Sequence, residues 1–280
     1  MENRILREFI LRSLTEDLGD GDHSSLACIP ENTTGKAKLL IKEKGILAGI
    51  RVAGVLFNII DKDLKFDVLS EDGASVIPGD IAFYISGRQH SILKSERLVL
   101  NIMQRMSGIA TSTHEYVSQL NGLKTKILDT RKTTPGFRFL EKEAVRIGGG
   151  MNHRMGLFDM IMLKDNHIDY AGGIEKAIIR TREYLKRNNM NLKVEIEARS
   201  LEDVRTIISV GGVDRIMLDN FSIKETLSAV KLISGRYETE SSGGITLATL
   251  RSYAECGVDF ISVGALTHHI KSLNMSLKAV

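Results

Sequence analysis

The part of the chain with the clearest chemical character is a basic segment from Lys124 to Arg154. It holds eight basic and three acidic residues, a net charge of +5, whereas the rest of the 280-residue chain carries −2. Cationic side chains concentrated in a short span attract anions when they converge on one site, so the segment predicts binding of a small anionic ligand. The overall charge of +3 is too small to indicate nucleic acid as a partner.

The first candidate motif in this segment is Asp129–Gly136, with the sequence DTRKTTPG. The adjacent Arg131 and Lys132 provide a guanidinium fork and an ammonium, and Thr130 adds a neutral donor. These groups together suit a carboxylate or a phosphate. A solvated turn would explain an isolated Arg-Lys pair, but a second basic cluster follows, and this favours a binding site.

That second cluster is a run of three glycines at 148–150 followed by His153 and Arg154. Glycines let backbone amides approach an anion closely, although glycine-rich turns alone are weak evidence. A single His or Arg is more often structural. Here both cationic residues follow the glycine run and precede an apolar strand, so we expect them to bind an anion.

Lys164 follows the apolar run 160–163 directly, and this places its ammonium at the end of a strand, where it can reach a phosphate. Asp165 and His167 are expected to orient neighbouring groups or to cap the next helix.

Two carboxylates, Glu197 and Asp219, end the following strands. Where neighbouring strand ends are rich in Arg and Lys, carboxylates suit Mg²⁺, ribose hydroxyls or a positively charged transition state rather than the anion itself. Salt bridges to these basic residues are the structural alternative. Glu195 has the same side-chain parity as Glu197, so the sequence leaves open which of the two faces the site. We favour Glu197 because it lies nearer the strand end.

The last two strands end in loops that combine serine with glycine, and such loops often bind phosphate late in a barrel through backbone amides and a helix N-terminus. The candidate phosphate-binding residues are Ser242, Gly243, Gly244, Ser262 and Gly264.

These motifs sit on a regular alternation of strands and helices. Strand-like runs end at Asp129, Lys164, Glu197, Asp219, Glu240 and Ser262. This spacing predicts βα units and a parallel sheet. Both a barrel and an open doubly wound sheet place ligands at carboxyl strand ends. An open sheet would collect its polar residues at one crevice, whereas here every strand end carries polar or small residues. A barrel is therefore favoured.

The chain is predicted to divide near residue 106. Residues 1–106 contain short strand-like runs and turn signals typical of a small α+β domain with an antiparallel sheet. Residues 107–267 form the predicted barrel domain, and the tail 268–280 is a candidate for packing back on the N-terminal domain.

The composition also indicates in which cellular compartment the protein is expected. No apolar run approaches the length needed to cross a bilayer, and the charged N-terminus does not resemble a signal peptide, so we expect no membrane partner. Cys28 and Cys256 have no spacing suited to a metal or a disulfide framework. Two unpaired thiols fit a reducing compartment, and the cytoplasm is the expected location.

The sequence resembles the quinolinate phosphoribosyltransferase family over nearly its whole length. The segments that carry the resemblance are EDLGDGDHSS, SERLVLNIMQRMSGIAT, DTRKTTPGFRFLEKEAVRIGGGMNHRMGLFDMIMLKDNHI, VEIE, IMLDN, SSGGI and GVDFISVGALTH. The resemblance implies an incomplete α/β barrel of the quinolinate phosphoribosyltransferase type behind an N-terminal α+β sandwich domain. It also implies a homodimer in which one subunit's N-terminal domain covers the other's barrel.

The reaction implied by the resemblance joins quinolinate to 5-phosphoribosyl-1-pyrophosphate with Mg²⁺, and gives nicotinate mononucleotide, CO₂ and pyrophosphate. The implied quinolinate-binding residues are Arg97 from the partner subunit, Thr130, Arg131, Lys132, His153 and Arg154. The implied catalytic residues, which also contact the phosphoribosyl donor, are Lys132, Lys164, Glu197 and Asp219, with the last two holding Mg²⁺. Ser242, Gly243, Gly244, Ser262 and Gly264 would complete the donor site.

Two features depart from the family pattern: the polar run Glu238–Ser241, where a more apolar strand is expected, and the extra positive charge of Arg199. The rival interpretations are a paralogue of the same fold, such as the related molybdenum-operon protein, a phosphoribosyltransferase for another pyridine acid, and a non-catalytic anion-binding regulator.

Overall fold

The computed structural model describes residues 2–280, with side chains from residue 4 onward. In chain order the elements are α1 (Glu2–Leu18), α2 (His23–Cys28), β1 (Thr34–Ile41), β2 (Gly45–Ile46), α3 (Ile50–Ile60), β3 (Lys65–Val68), β4 (Ser75–Val76), β5 (Ile81–Arg88), α4 (Gln89–Ser118), β6 (Lys126–Leu128), α5 (Arg138–Ile147), β7 (Ile161–Leu163), α6 (Asp165–Ala171), α7 (Ile174–Arg187), β8 (Val194–Ala198), α8 (Leu201–Val210), β9 (Arg215–Asp219), α9 (Ile223–Ile233), β10 (Glu238–Ser242), α10 (Leu247–Ala254), β11 (Phe260–Ser262), α11 (Ala265–His268) and β12 (Met275–Ala279). Among the described residues, no helix combines the length and apolarity needed to cross a bilayer.

The chain forms two compact units. The first consists of the chain up to His114, residues 135–149 and the tail from residue 269, and the second of residues 115–134 and 150–268. The boundary that the sequence predicts, between residues 106 and 107, falls inside the continuous helix α4. Residues 135–149, which the prediction assigned to the barrel, join the first unit because α5 is tied to α4 by an ion pair: Arg105 donates to the buried Glu141, with the two nitrogens Nε and Nη2 at 2.8 and 2.6 Å from Oε1.

The first unit is built on a four-stranded antiparallel sheet in the order β12-β1-β5-β3. Inward and outward residues alternate along β1, as expected of a strand with one buried face. Helix α3 packs on this sheet through Phe57, whose ring lies 5.2 Å from that of Phe66 and 5.7 Å from that of Phe83 between centroids. The predicted α+β sandwich is therefore confirmed. The tail strand β12 pairs antiparallel with β1, from Ala37 opposite Ala279 to Ile41 opposite Met275.

The second unit is a six-stranded parallel sheet in the order β6-β11-β10-β9-β8-β7. Strands β7 to β11 lie side by side in chain order, and the last of them pairs with the first strand of the unit, β6. A doubly wound sheet reverses its order at a switch point, whereas a barrel brings the last strand back to the first. Within residues 2–280 no ladder joins β6 to β7, so the barrel is incomplete, as predicted.

The polar strand β10 is accommodated by specific partners rather than by apolar packing. Glu240 is fully buried and accepts a hydrogen bond from Arg215 of β9 at 2.9 Å. Thr239 donates through both its backbone N and its hydroxyl to Asp259, each at 2.8 Å. Because buried polar groups that are paired avoid the desolvation cost of isolated ones, this strand can occupy the centre of the sheet despite its sequence.

Candidate active site

A cavity of about 770 Å³ lies at the carboxyl ends of the strands of the second unit. Its volume is in the range of sites for small substrates and cofactors. The predicted site residues that line it are Thr130, Arg131, Lys132, His153, Arg154, Lys164, Glu197, Asp219, Ser242, Gly243, Gly244, Ser262 and Gly264. The remaining predicted residue, Arg97, is exposed on α4 in the first unit.

Arg154 has the environment expected of an anion-binding arginine. Its side chain is buried, Nη1 donates to the carbonyl of Met160 at 3.1 Å, and Nε is buried without a protein acceptor. Burial first, and then repulsion from Arg131, lower the pKa of the Arg154 guanidinium. Two neighbouring cations, one with an unsatisfied buried donor, leave room for a negatively charged ligand to complete the site.

The loop that carries Arg154 is fixed by Asp129, a residue not predicted to have a functional role. Asp129 is fully buried directly after β6, and its carboxylate accepts from the backbone N–H of His153 at 2.8 Å and from Nδ2 of Asn152 at 2.5 Å. Hydrogen bonds to a buried carboxylate are among the stronger ones in proteins. The strand-end position of Asp129 was the only sequence signal for this role.

His153 lines the cavity but directs both ring nitrogens at protein groups. Nδ1 accepts from the backbone N–H of Arg154 at 2.7 Å, so the proton of the neutral ring belongs on Nε2. Nε2 lies 3.0 Å from a carboxylate oxygen of Glu195 and 3.6 Å from one of Glu240. In this arrangement Nε2 lies close to the Glu195 and Glu240 carboxyl groups, and the residue lines the cavity.

Glu195, Glu240 and Arg215 form a buried ionic layer beside His153, which strand periodicity does not predict. Arg215 Nη1 lies 2.9 Å from Glu240 and 3.8 Å from Glu195. Burial raises the pKa of Glu195 to about 7, whereas burial followed by the Glu195 charge raises the pKa of Glu240 to about 8. Burial lowers the pKa of Arg215, but the charges of Glu195, Glu240 and Glu238 together raise it by more.

Three groups of this layer, on His153, Glu195 and Glu240, are close enough to hold a metal ion. The arrangement does not suit one, for two reasons. The Arg215 guanidinium already occupies the cationic position beside Glu240. A histidine ligand must also offer a lone pair, and His153 Nε2 carries the proton when Nδ1 accepts from Arg154.

Glu197, and not Glu195, faces the cavity. Lys164 Nζ donates to one carboxylate oxygen of Glu197 at 2.9 Å, and the backbone N–H of Asp165 donates to the other at 3.0 Å. Asp219 lines the same cavity, and burial first, then the Glu197 charge, raises the pKa of its carboxyl group. At the start of α6, His167 Nδ1 accepts from the backbone N–H of Lys164 at 3.0 Å, so it orients this segment.

The loop after β10 requires a glycine at position 243. Gly243 has a φ of +96°, and an added Cβ would lie 2.2 Å from Oδ1 of Asn220. Asn220 itself has a φ of +57°, and its Nδ2 donates to Asp219 at 2.8 Å. The loop leads into the N-terminus of α10, which favours anions. Asn220 therefore links the carboxylate region to the glycine loop, a connection that sequence spacing does not reveal.

Gly264 follows the last strand, and an added Cβ there would lie 2.9 Å from Nε2 of His268 and 3.1 Å from Cδ of Lys132. The extra positive charge noted in the sequence, Arg199, is turned away from this region. Its guanidinium is about half exposed and forms a two-point pair with Asp169 at 3.0 and 3.1 Å.

Comparison with known families covers nearly the whole chain. Residues 22–107 match the quinolinate phosphoribosyl transferase N-terminal domain, and residues 109–278 match the C-terminal domain of the same family. The chloroplastic nicotinate-nucleotide pyrophosphorylase [carboxylating] of Arabidopsis thaliana is 45% identical, over 98% of this chain and 82% of the relative. A probable enzyme of the same name from Bacillus subtilis is 40% identical, over 99% and 94%.

A solved structure has the same fold. The nicotinate-nucleotide pyrophosphorylase of Francisella tularensis superposes with a TM-score of 0.93 at 40% identity, covering 99% of this chain and 97% of that one. Both family domains, in this order and over this length, leave no large segment of the chain unmatched. The chain belongs to the quinolinate phosphoribosyltransferase family.

Proposed function

We infer that the protein transfers the phosphoribosyl group of 5-phosphoribosyl-1-pyrophosphate to quinolinate and releases pyrophosphate and CO₂, leaving nicotinate mononucleotide, a step of NAD biosynthesis. Family membership and the names of the relatives support this reaction. The observation from the chain itself that carries the proposal is the buried Arg154, with an unsatisfied Nε, beside Arg131 in the cavity. This pair suits an acceptor that bears two carboxylates.

The two substrates are assigned to different parts of the cavity lining. Quinolinate binds at the basic wall of Arg131, Arg154 and Thr130, because its carboxylates need cationic donors. Lys132 and Lys164 lie between the substrates and offset the repulsion between two multiply charged anions. The 5-phosphate binds at the serine and glycine loops near the N-terminus of α10, where backbone donors and the helix dipole favour phosphate. The residues assigned to this phosphate are Ser242, Gly243, Gly244, Ser262 and Gly264.

In the transfer step, the pyridine nitrogen of quinolinate forms a bond to C1 of the ribose as the bond from C1 to pyrophosphate breaks. Positive charge develops on the ribose ring as the leaving group departs. Glu197 and Asp219, both at the mouth, stabilise this charge electrostatically. Lys164, held by Glu197 at 2.9 Å, is positioned to offset the negative charge of the departing pyrophosphate.

Loss of CO₂ follows from the chemistry of the adduct. The bond between C2 and its carboxylate breaks, the electron pair stays on C2, and the adjacent quaternary nitrogen stabilises it. A proton then replaces CO₂ at C2. Arg154 and Arg131 hold the diacid in place during this step, because buried guanidiniums bind carboxylates in a fixed, side-on geometry.

We propose Mg²⁺ as the cofactor, held at Glu197 and Asp219. The test of fit is the donor set: the Glu197 and Asp219 carboxylates both line the cavity, and burial first, then the Glu197 charge, raises the pKa of Asp219, as expected of a pair that gains from a cation. Lys164 already contacts Glu197 at 2.9 Å, so Mg²⁺ would share this carboxylate with the lysine. Mg²⁺ is commonly bound by one or two carboxylates together with substrate phosphates. When bound, it supplies charge neutralisation for the pyrophosphate group.

We also propose a homodimer in which Arg97 reaches the quinolinate wall of the partner subunit. Arg97 is exposed on α4, and the family resemblance gives it this role from a second copy of the chain. The location proposed is the cytoplasm. Its support is the two free cysteines, Cys28 and Cys256, which suit a reducing compartment. The names of the plant relatives place those proteins in chloroplasts or mitochondria.

The test is a product assay with purified protein, both substrates and Mg²⁺. The expected result is nicotinate mononucleotide and CO₂ in equal amounts, dependent on Mg²⁺ and absent with chelator. Nicotinate in place of quinolinate should give no product, because it lacks the carboxylate at C2. Product from nicotinate but not quinolinate would identify another pyridine acid as the acceptor. Binding of quinolinate without any product would favour a non-catalytic anion-binding regulator.

A further inference from the structure

We propose that Glu195 is a positioning residue for the acceptor site: it fixes the tautomer and orientation of His153 and, through this ring, the backbone at Arg154. The inference rests on the proposed role of Arg154 in quinolinate binding. Glu195 does not line the cavity, so it acts through its neighbours and not on the substrate.

The structural chain has two links. Glu195 Oε2 lies 3.0 Å from His153 Nε2, and His153 Nδ1 accepts from the backbone N–H of Arg154 at 2.7 Å. The second link requires an unprotonated Nδ1, so the neutral ring must carry its proton on Nε2. A carboxylate at Nε2 favours this tautomer. Without it, the ring can take its proton on Nδ1, where two donors would face each other and displace the Arg154 backbone.

Among the residues whose side chains the structure describes, Glu195 has no closer ionic partner than this ring. Arg215 approaches it only to 3.8 Å, and that guanidinium is already paired with Glu240 at 2.9 Å and Glu238 at 3.0 Å. Glu240 lies 3.6 Å from the ring nitrogen, farther than Glu195. Among the described residues, His153 Nε2 is therefore the ionisable nitrogen nearest to the Glu195 carboxylate, which also interacts with Arg215 and Glu240.

Stability alone gives little reason for a carboxylate at position 195. The side chain is fully buried on β8, among the interior residues of the sheet. Burying a carboxylate costs more than burying an apolar side chain of similar size, and replacing buried ionic groups by apolar ones is often neutral or stabilising. A costly group at an interior position that touches the substrate-binding loop points to a role in binding.

The test compares two substitutions at this position. Glu195→Leu removes the acceptor, whereas Glu195→Gln keeps an oxygen that can accept the Nε2 proton. For Glu195→Leu we expect the KM for quinolinate to rise roughly tenfold or more, with the KM for the phosphoribosyl donor changed less than about twofold. Glu195→Gln should restore the quinolinate KM to within about threefold of wild type. The matched control is Glu238→Gln, which also alters a contact of Arg215 but lies away from His153, and it should leave both KM values unchanged.

A second measurement does not depend on a variant that folds. In wild-type protein with ¹⁵N-labelled histidine, the ring shifts of His153 should identify the tautomer with a protonated Nε2 and an unprotonated Nδ1. A proton on Nδ1, equal rises of both KM values in Glu195→Leu, or a Glu195→Gln variant as impaired as Glu195→Leu would overturn the proposal. Failure of the proposed function is distinguishable, because wild-type protein would then form no nicotinate mononucleotide while the tautomer could still be read.

Discussion

Replacing Arg154 by methionine tests whether this residue binds the ligand or stabilises the fold. Arg154 is buried beside Arg131, and its Nη1 donates to the Met160 carbonyl while Nε has no protein acceptor. The edge formed by Nε and Nη2 is therefore the one that can receive a carboxylate side-on. We expect Arg154→Met to weaken quinolinate binding strongly and to leave the ligand-free protein about as stable as wild type.

The magnitude follows from the hydrogen bonds involved. Each bond to a charged group contributes about 1.5–3 kcal/mol, and a two-point pair partly open to solvent about 3 kcal/mol, so the dissociation constant should rise roughly 100-fold. In the ligand-free protein the substitution loses one bond to Met160 but removes a desolvated cation that repels Arg131. These effects offset each other, and the melting temperature should change by less than about 3 °C.

Isothermal titration calorimetry with quinolinate measures the first quantity, and thermal unfolding without ligand measures the second. Arg199→Met is the matched control, since that guanidinium is already paired with Asp169 and is about half exposed. It should change the dissociation constant by less than about twofold. A large loss of stability in Arg154→Met with unchanged quinolinate affinity would refute the reasoning, because it would make Arg154 a structural residue.

Three further predictions test other parts of the site. Lys164→Ala should lower kcat roughly 100-fold or more in a steady-state assay while changing the melting temperature little, because the lysine side chain is about half exposed. Gly243→Ala should raise the KM for the phosphoribosyl donor with little change for quinolinate. Its control is Gly235→Ala, which has a comparable positive φ of +70° but no atom within 4 Å of the added Cβ, and should leave both KM values unchanged. In the folded state Glu240 keeps its proton up to about pH 8, whereas in the unfolded state it loses the proton near pH 4.5. The stability of the wild-type protein therefore decreases as pH rises between these values. Glu240→Gln should make this decrease smaller. Melting curves from pH 5 to 8 should show a shallower slope for the variant, and an unchanged slope would mean that other groups, such as Glu195, dominate this dependence.

The positions of the site residues along the strands could be predicted from the sequence. Polar and small residues directly after apolar runs place Lys164, Glu197 and Asp219 at carboxyl strand ends, and parallel strands bring these ends together. The barrel topology follows from the same alternation. All of the predicted residues of the second unit line the cavity. They could be predicted because strand periodicity depends only on neighbouring residues in the chain.

Side-chain depth and partner choice could not be predicted. Glu195 and Glu197 have the same parity, and only the depth of the sheet separates them: Glu197 meets Lys164 at the mouth, and Glu195 meets His153 behind it. From the sequence, Arg199 is an extra positive charge near the strand ends. In the structure it forms an ion pair with Asp169 on α6 instead. Such contacts join elements distant in the chain, so no spacing pattern encodes them.

The polar strand β10 shows how a local departure can be resolved by tertiary structure. Glu240 contradicts the apolar pattern of a central strand, and no partner for it could be predicted from the sequence. Arg215, on the neighbouring strand, supplies one at 2.9 Å, and the parallel register that places Glu240 opposite Met217 brings the two strands into this alignment. The buried layer beside His153 is thus a property of the register between strands.

The most direct test of the central claim, that the basic wall binds the diacid, is a crystal structure of the protein with quinolinate. We expect one carboxylate side-on to the Nε–Nη2 edge of Arg154, within about 3.2 Å, with Arg131 on the same ligand. We also expect Arg97 of a second copy beside the ligand. Quinolinate bound instead in the loop of Ser242 and Gly243, with Arg154 making no contact to it, would show that the basic residues do not bind the diacid.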